Sequence, residues 1–397
     1  MNSTQTHIIV LGGGFAGIGA IKTLLKKHDP HIKITLIDKN PYHLFTPSLY
    51  EVATRETPQK NIAIPFTEIF GHKISYIKDS IKHIDTKKKN IQTESEIISY
   101  DYLLFALGSE PAYHKISGLE KYSIPLKSLS DALNIQKQIS SLYQVCKLSK
   151  EKLNLVIGGG GFAGTELATE LLTYKHHLEE NNHNDCVRIT ILHGGDRLLP
   201  ELDSHVSVIA KKRLSDPCVQ FAFGGHITEV TKEIIKTDTN QTYPYDLFIW
   251  TGGVQTNHLA TTVGLPLTDH GQITVDTCLQ ASDSIFVAGD CAGFIDPITK
   301  RYVPGVAQVA EEEGLAAGEN IYRLIKKQPL VPYNYRHFGY IIPLKGKFAA
   351  AELMSFHFDG LLGWALQQVV FFRYLLGILP LTKAIKRWNT FEMELSQ

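Results

Sequence analysis

Cysteine is scarce and scattered. The five cysteines stand at 146, 186, 218, 278 and 291, with no C-x-x-C and no metal-ligand spacing, so no metal site is expected. Residues 1–145 contain none. This excludes a redox disulfide placed shortly after the N-terminal segment, and the thiols read as reduced, in a cytosolic setting. Charge of one sign is also missing. Forty basic residues balance forty acidic ones, so nothing argues for a nucleic-acid partner. No low-complexity linker is present, and the first apolar run starts at His7, which leaves no room for a signal peptide.

Glycine, by contrast, is concentrated in two places. His7-Ile-Ile-Val-Leu-Gly-Gly-Gly-Phe-Ala-Gly17 and Leu155-Val-Ile-Gly-Gly-Gly-Gly-Phe-Ala-Gly164 each read as a short apolar strand, a G-x-G-x-x-G turn and a helix. Gly12 and Gly159 allow the sharp exit from the strand. Gly14 and Gly161 let backbone approach a pyrophosphate, and Gly17 and Gly164 let helix pack on strand. The helix N-terminus offers N–H groups and partial positive charge to the phosphates. One such turn indicates one dinucleotide. Two in tandem indicate two dinucleotides held together to exchange electrons.

The strands downstream of the two turns end differently. Ile32-Lys-Ile-Thr-Leu-Ile-Asp38 puts an acid about 20 residues beyond Gly17, where a ribose diol is recognised. After the second helix comes a polar insertion, His176 to Cys186, then Val187-Arg-Ile-Thr-Ile-Leu-His193. His193 holds the position of the acid, which leaves the ribose preference of the second site open, a phosphorylated ribose included. Arg197 reads equally as a phosphate partner or a solvated loop charge.

With 397 residues, two or three domains are expected. Tyr100-Asp-Tyr-Leu-Leu-Phe-Ala-Leu-Gly108 is a buried strand ending in small residues. Asp246-Leu-Phe-Ile-Trp-Thr-Gly-Gly253 repeats that pattern in the second unit. Ser284-Ile-Phe-Val-Ala-Gly-Asp290 is a further apolar strand ending in Gly-Asp. The fold class is α/β, with two Rossmann-like dinucleotide-binding domains.

In these features the chain looks like a pyridine-nucleotide-dependent flavoprotein with two dinucleotide folds, and it most resembles the type II, non-proton-pumping NADH:quinone oxidoreductases. Asn40-Pro-Tyr-His-Leu-Phe-Thr-Pro-Ser-Leu-Tyr-Glu-Val-Ala-Thr54, Ala307-Gln-Val-Ala-Glu-Glu-Glu-Gly314 and the stretch from Phe338 onward carry the closer likeness. The resemblance implies that Gly12, Gly14, Gly17, Asp38, Lys39, Thr46, Ala106, Gly108 and Asp290 hold FAD. It implies that Gly159, Gly161, Gly164, His193 and Gly253 hold NADH, NADPH not being excluded. Ala307 would also border the cofactor, Glu166 would lie near the nicotinamide and flavin rings, and Gln308 and Glu312 would lie at the quinone edge. The departures are Leu107 for Thr, His193 for the acid and Glu312 for Gln. The implied domains are FAD-binding, 1–112 and 281–335; NAD(P)H-binding, 113–280; and a C-terminal membrane-association region, 336–397.

Read on their own, several of these residues keep a second meaning. Val306 to Ile325 reads as a helix, whose N-terminus would favour negative charge on a reduced flavin. Gln308 is either a carbonyl partner or a solvated first-turn residue. Glu166 reads as a positioning group or as an acid that complements a helix dipole, and the run Glu311–Glu313 reads as acids expected from the dipole alone. Tyr42, His43 and Phe45 either shape the flavin surroundings or pack. Cys291 reads as a small buried apolar residue.

Leu361 to Leu381 is the most apolar part of the chain, interrupted by Gln367, Gln368 and Arg373 and ended by Pro380. Thr382 to Phe391 then carries Lys383, Lys386, Arg387 and Trp388. Basic residues beside apolar and aromatic ones form the pattern of an interfacial helix pair. Packing on the core or against a second copy in a homodimer is the alternative. The implied protein is peripheral on the cytoplasmic face of the cell membrane, with a quinone as partner. The rival readings are a flavoprotein reductase with another acceptor and a redox-sensing flavoprotein that binds a partner.

Overall fold

The computed structural model describes residues 5–54, 59–149, 151–179, 187–354 and 356–395. Cys186 and most of the polar insertion before it lie outside the described residues. The chain forms two compact units. The first comprises Met1–Phe45, Ile62–Glu110 and Val254–Arg336, and the second Thr46–Asn61, Pro111–Gly253 and His337–Gln397.

The first unit is built on a six-stranded sheet, in the order Gln280–Ser282, Ile285–Val287, Tyr102–Phe105, Thr6–Leu11, Ile32–Asp38 and Ser75–Lys78. Its strands run parallel, except that Gln280–Ser282 is antiparallel to its neighbour. Val10 pairs with Leu36 on one side and Leu104 on the other. Ile8, Ile9, Val10 and Leu11 are fully buried, as expected where both faces of a parallel sheet are covered. Helix Phe15–Leu25 packs along helix Ala307–Ile325. The approach is so close that a Cβ on Gly314 would stand 2.1 Å from the Ala16 carbonyl oxygen, and one on Gly318 2.7 Å from that of Ala20. Small residues thus allow the close approach of the two helices.

The second unit repeats the plan. Its five parallel strands lie in the order Ile124–Pro125, Leu247–Trp250, Leu153–Gly158, Val187–His193 and Val219–Phe223. The strand after each glycine turn lies on one side of the turn's own strand, and the small-residue strand lies on the other. The α/β class and the doubled dinucleotide-type sheet are therefore those expected from the sequence. Val156, Leu192, Phe248 and Trp250 form a core with Leu119, Val230 and Ile235, and the Trp250 indole donates to the Ala112 carbonyl at 2.8 Å.

The same unit carries the C-terminal segment. Strands Gly339–Pro343, Ala349–Leu353 and Phe356–Gly360 form an antiparallel meander, on which helix Leu361–Ile378 packs. Gly363 permits this contact, because a Cβ there would stand 2.3 Å from the Ala349 carbonyl oxygen. Helix Leu381–Leu395 packs on its predecessor, with the rings of Phe372 and Trp388 5.4 Å apart.

Candidate active site

In the first unit the turn is shaped by what a side chain would strike. Gly12 has φ +92°, and a Cβ on it would stand 2.4 Å from the carbonyl oxygen of buried Ala106. A Cβ on Gly17 would stand 1.9 Å from the Gly12 carbonyl oxygen, whereas one on Gly14 would meet nothing within 4 Å. Two glycines are thus required by the fold, and the third fronts open space. No side chain caps helix Phe15–Leu25 and no acid stands in its first turn, so its amide N–H groups are left to an anion. Asp38 Oδ2 accepts the Gly13 N–H at 2.8 Å, and Oδ1 accepts that of Asn40 at 2.8 Å. Burial raises its pKa, against those bonds and the neighbouring charge of exposed Lys39. This open cradle and a carboxylate with lone pairs to spare fit a dinucleotide.

His43 braces the turn from the other side. Its fully buried ring donates from Nδ1 to the Gly13 carbonyl at 3.1 Å and meets Phe15 edge-on, with 4.9 Å between ring centroids. Burial pushes its pKa down to about 4, so it stays neutral. His43 therefore supports the turn through packing and its bond to the Gly13 carbonyl.

The carboxyl ends of the neighbouring strands complete the site in the first unit. Gly108 turns with φ +68°, and its carbonyl accepts from Asn257 N–H at 3.1 Å and from the Cys291 thiol at 3.0 Å. Cys291 is fully buried, as expected, and burial pushes its pKa up. Asp290 accepts the hydroxyl of Ser109. Helix Ala307–Ile325 begins after Val306 with no side-chain cap and no acid in its first turn. Half-buried Gln308 donates from Nε2 to Glu312 Oε1 at 3.2 Å, and the Tyr333 hydroxyl reaches Glu312 Oε2 at 3.5 Å. Glu313 was not singled out by the sequence reading. It is 2% exposed, and its Oε2 accepts the Gly289 N–H at 2.7 Å. The available signal was the run of three glutamates, since successive helical residues point about 100° apart and one of three must turn inward.

In the second unit the geometry recurs. Gly159 has φ +120°, and a Cβ on Gly164 would stand 1.9 Å from its carbonyl oxygen, while one on Gly161 would meet nothing within 4 Å. Helix Phe162–Glu179 has no acid in its first turn. Glu166, read from sequence as a first-turn acid, is its fifth residue. Burial, then the charge of Glu51, holds the Glu166 pKa well above the ordinary carboxylate range. Glu51 is buried on helix Leu49–Thr54, which packs against helix Phe162–Glu179, and accepts the buried Tyr50 hydroxyl at 3.1 Å. His193 Nδ1 accepts the Gly160 N–H at 3.2 Å. Arg197 donates to the carbonyls of Pro200 and Leu202 at 3.2 and 3.0 Å, so its guanidinium ties its own loop. Gly253 has φ +125°, and its carbonyl accepts the Ala112 N–H at 3.1 Å. Exposed Thr46 opens a short helical turn, Thr46–Ser48, of this unit.

The sequence profile of the pyridine nucleotide-disulphide oxidoreductases matches residues 6–314, a span that takes in both glycine turns, the Gly-Asp strand and the first turns of helix Ala307–Ile325. The chain belongs to this family. Among its relatives, a type II NADH:quinone oxidoreductase of Staphylococcus saprophyticus is 26% identical over 361 residues, covering 87% of this chain and 89% of that protein. One of Haemophilus influenzae is 27% identical over 388 residues, covering 88% and 87%. The fold is also that of NDH2 from Plasmodium falciparum, solved in complex with NADH, at TM-score 0.88, 19% identity and coverage of 98% and 97%. The sulfide:quinone oxidoreductase of Aquifex aeolicus is similar at TM-score 0.76 and 21% identity, covering 97% and 92%. Despite the family's name, the four cysteines among the described residues are all free.

Proposed function

We propose that this family member is an FAD-dependent NADH:quinone oxidoreductase that does not pump protons. The observation that carries the reading is the doubled cradle, one open glycine turn in each unit, each leading into a helix with no acid in its first turn. The relatives from Staphylococcus saprophyticus and Haemophilus influenzae carry NADH:quinone oxidoreduction in their names. Overall, NADH, a proton and a quinone become NAD⁺ and a quinol.

FAD, when bound, supplies the two-electron carrier whose N5 takes the hydride. Residues 1–112 and 281–335 would hold it. Gly12, Gly14 and Gly17 shape the pyrophosphate cradle. Asp38, beside Lys39, accepts from the ribose diol. Thr46, Ala106 and Gly108 border the cofactor, and Asp290 lies on its ribityl and phosphate side. Residues 113–280 would hold NADH through Gly159, Gly161, Gly164, His193 and Gly253. Hydride transfer needs distance, stacking and electrostatics more than a protein base, so Glu166 acts as a neutral positioning group. Ala307 opens the helix whose N–H groups favour developing negative charge. The Gln308–Glu312 pair orients a quinone carbonyl.

Residues 336–397 would lie on the membrane surface, where a quinone is reached. Helix Leu361–Ile378 is long and apolar enough to cross a membrane, with 33% of it buried within the protein. Leu362, Val369, Val370 and Leu376 face outward. The exposed basic residues Arg373, Lys383 and Lys386 lie in the same helix pair, as suits an interfacial helix. We place the protein on the cytoplasmic face of the cell membrane.

The test is anaerobic reduction of the yellow protein by NADH, followed by mixing with a short-chain quinone. Bleaching and rapid recovery are expected. Bleaching without recovery would point to another acceptor or a redox sensor, and protein without bound flavin would overturn the reading.

A further inference from the structure

The two units answer the same structural problem with different chemistry. In the first, Asp38 accepts the glycine-turn N–H of Gly13 with one oxygen and the N–H of Asn40 with the other. A carboxylate has about four acceptor positions, so about two remain for a ribose diol. In the second unit His193 stands at the same strand end and takes the N–H of Gly160 through Nδ1 at 3.2 Å. That bond uses the single acceptor of a neutral imidazole and fixes the hydrogen on Nε2. Nε2 is buried without a hydrogen-bond partner among the described residues. Gly195 is the counterpart of Asn40, two residues on, and a Cβ there would stand 2.8 Å from Nε2. Its backbone N–H is a donor and cannot satisfy a second donor. At this strand end His193 itself therefore offers a hydrogen-bond donor, no acceptor and no negative charge of its own.

We propose that His193 is a specificity-determining residue that removes the usual discrimination against a 2′-phosphate, so that this chain takes NADPH as well as NADH. The inference rests on the reading of the second turn as the nicotinamide dinucleotide site. An acid at this position would accept from the 2′-hydroxyl of NADH and repel the phosphate of NADPH. The imidazole does neither, and its Nε2–H suits a phosphate or hydroxyl oxygen. Glu201, Asp196 and His226 face the ring electrostatically. The two acids oppose a phosphate, so the outcome is acceptance of both nucleotides rather than preference for NADPH. Protonating His193 would cost the Gly160 bond, and burial, the largest influence on its pKa, also favours the neutral ring. The nucleotide ratio should accordingly change little around neutral pH.

The experiment uses the flavin-loaded protein and two readouts. Anaerobic flavin bleaching is followed against NADH and against NADPH. Calorimetry compares ADP-ribose with its 2′-phosphorylated form, which binds without any redox step. We expect second-order bleaching constants within about thirtyfold of each other, and a matching ratio for the two adenylates. In H193D the new carboxylate can take the Gly160 N–H as Asp38 takes that of Gly13, so the turn is kept. This variant should lose NADPH and 2′-phospho-ADP-ribose by about 10–100-fold relative to their unphosphorylated counterparts, the worth of a hydrogen bond to a charged group. A larger discrimination in the native protein, or an unchanged ratio in H193D, would overturn the proposal. If neither nucleotide bleaches the flavin and neither adenylate binds, the nucleotide reading itself falls, and the role of His193 with it.

Discussion

Gly289 donates its backbone N–H to Glu313 Oε2 at 2.7 Å, which ties the Gly289–Asp290 turn to helix Ala307–Ile325. Gly289 turns with φ +74°, and a Cβ there would stand 3.4 Å from those of Ala16 and Ala310. The turn that carries Asp290 is thus set by a hydrogen bond on one side and by two packed helices on the other.

Burial, with lesser contributions from Asp290 and Glu312, pushes the Glu313 pKa up to about 8, against the pull of the Gly289 bond. The folded protein therefore holds this proton more tightly than the unfolded chain does. Stability owed to Glu313 is present below the ordinary carboxylate pKa and is lost as pH rises through about 8. E313Q keeps an acceptor for Gly289 and cannot ionise. Its melting temperature should match the native protein near pH 5 and exceed it increasingly towards pH 9, each tenfold in proton affinity being worth about 1.4 kcal/mol. E313A orphans the Gly289 N–H and should cost about 1–3 kcal/mol relative to E313Q at every pH. Parallel melting curves for native protein and E313Q would show that folding does not raise the Glu313 pKa.

Gly14 and Gly17 separate binding from folding. A methyl on Gly17 overlaps the Gly12 carbonyl, so G17A should unfold or lose at least about 1–3 kcal/mol of stability through overpacking and backbone shift. A methyl on Gly14 meets no protein atom within 4 Å, so G14A should fold with native circular dichroism yet purify with little flavin. G161A should keep its flavin and lose nucleotide affinity. A yellow, fully loaded G14A would show that the open space is not the cofactor's.

These glycine turns were legible because every residue they need lies within a dozen positions, and the strand before and helix after are written in the same stretch. Asp38 was legible for a similar reason, since strand length fixes its distance. The partner of Glu313 lies 24 residues away, and which of three consecutive glutamates turns inward depends on the Ala16–Gly314 helix contact. Glu51 lay inside a recognised motif and Glu166 just past the second glycine turn, but that the two are neighbours shows only when helix Leu49–Thr54 is docked on the second nucleotide helix. The departure at His193 could be read from the chain. The tautomer it adopts could not, because that follows from a bond to Gly160 33 positions earlier.

Glu51 raises the pKa of Glu166 by its charge, second only to burial. Replacing Glu51 by Gln removes that charge and should move the Glu166 titration towards acid. Flavin reduction by NADH, followed by stopped flow against pH, should show its Glu166-dependent limb shifted down by about one pH unit in E51Q, as expected for loss of a nearby like charge. E166Q should abolish the limb. A limb that survives in E166Q would assign the titration to another group.

Helix Leu361–Ile378 is apolar on two sides. Gly363, Gln368, Phe371, Tyr374, Leu375 and Ile378 are buried, while Leu362 and Val369 are 69% and 63% exposed. Two apolar stripes on one helix need two apolar surroundings, and the antiparallel sheet supplies only one. A spanning helix would have to strip Phe371, Tyr374 and Ile378 from the protein, at about 1.5–3 kcal/mol for each large side chain. Lying flat keeps those contacts and sinks the other stripe into lipid. L362S/V369S/L376S should therefore fold normally, turn over a water-soluble quinone at the native rate and float with anionic vesicles at least about tenfold less well. Equal flotation would show that another surface meets the membrane. A shift from dimer to monomer with unchanged flotation would show that this face joins two copies.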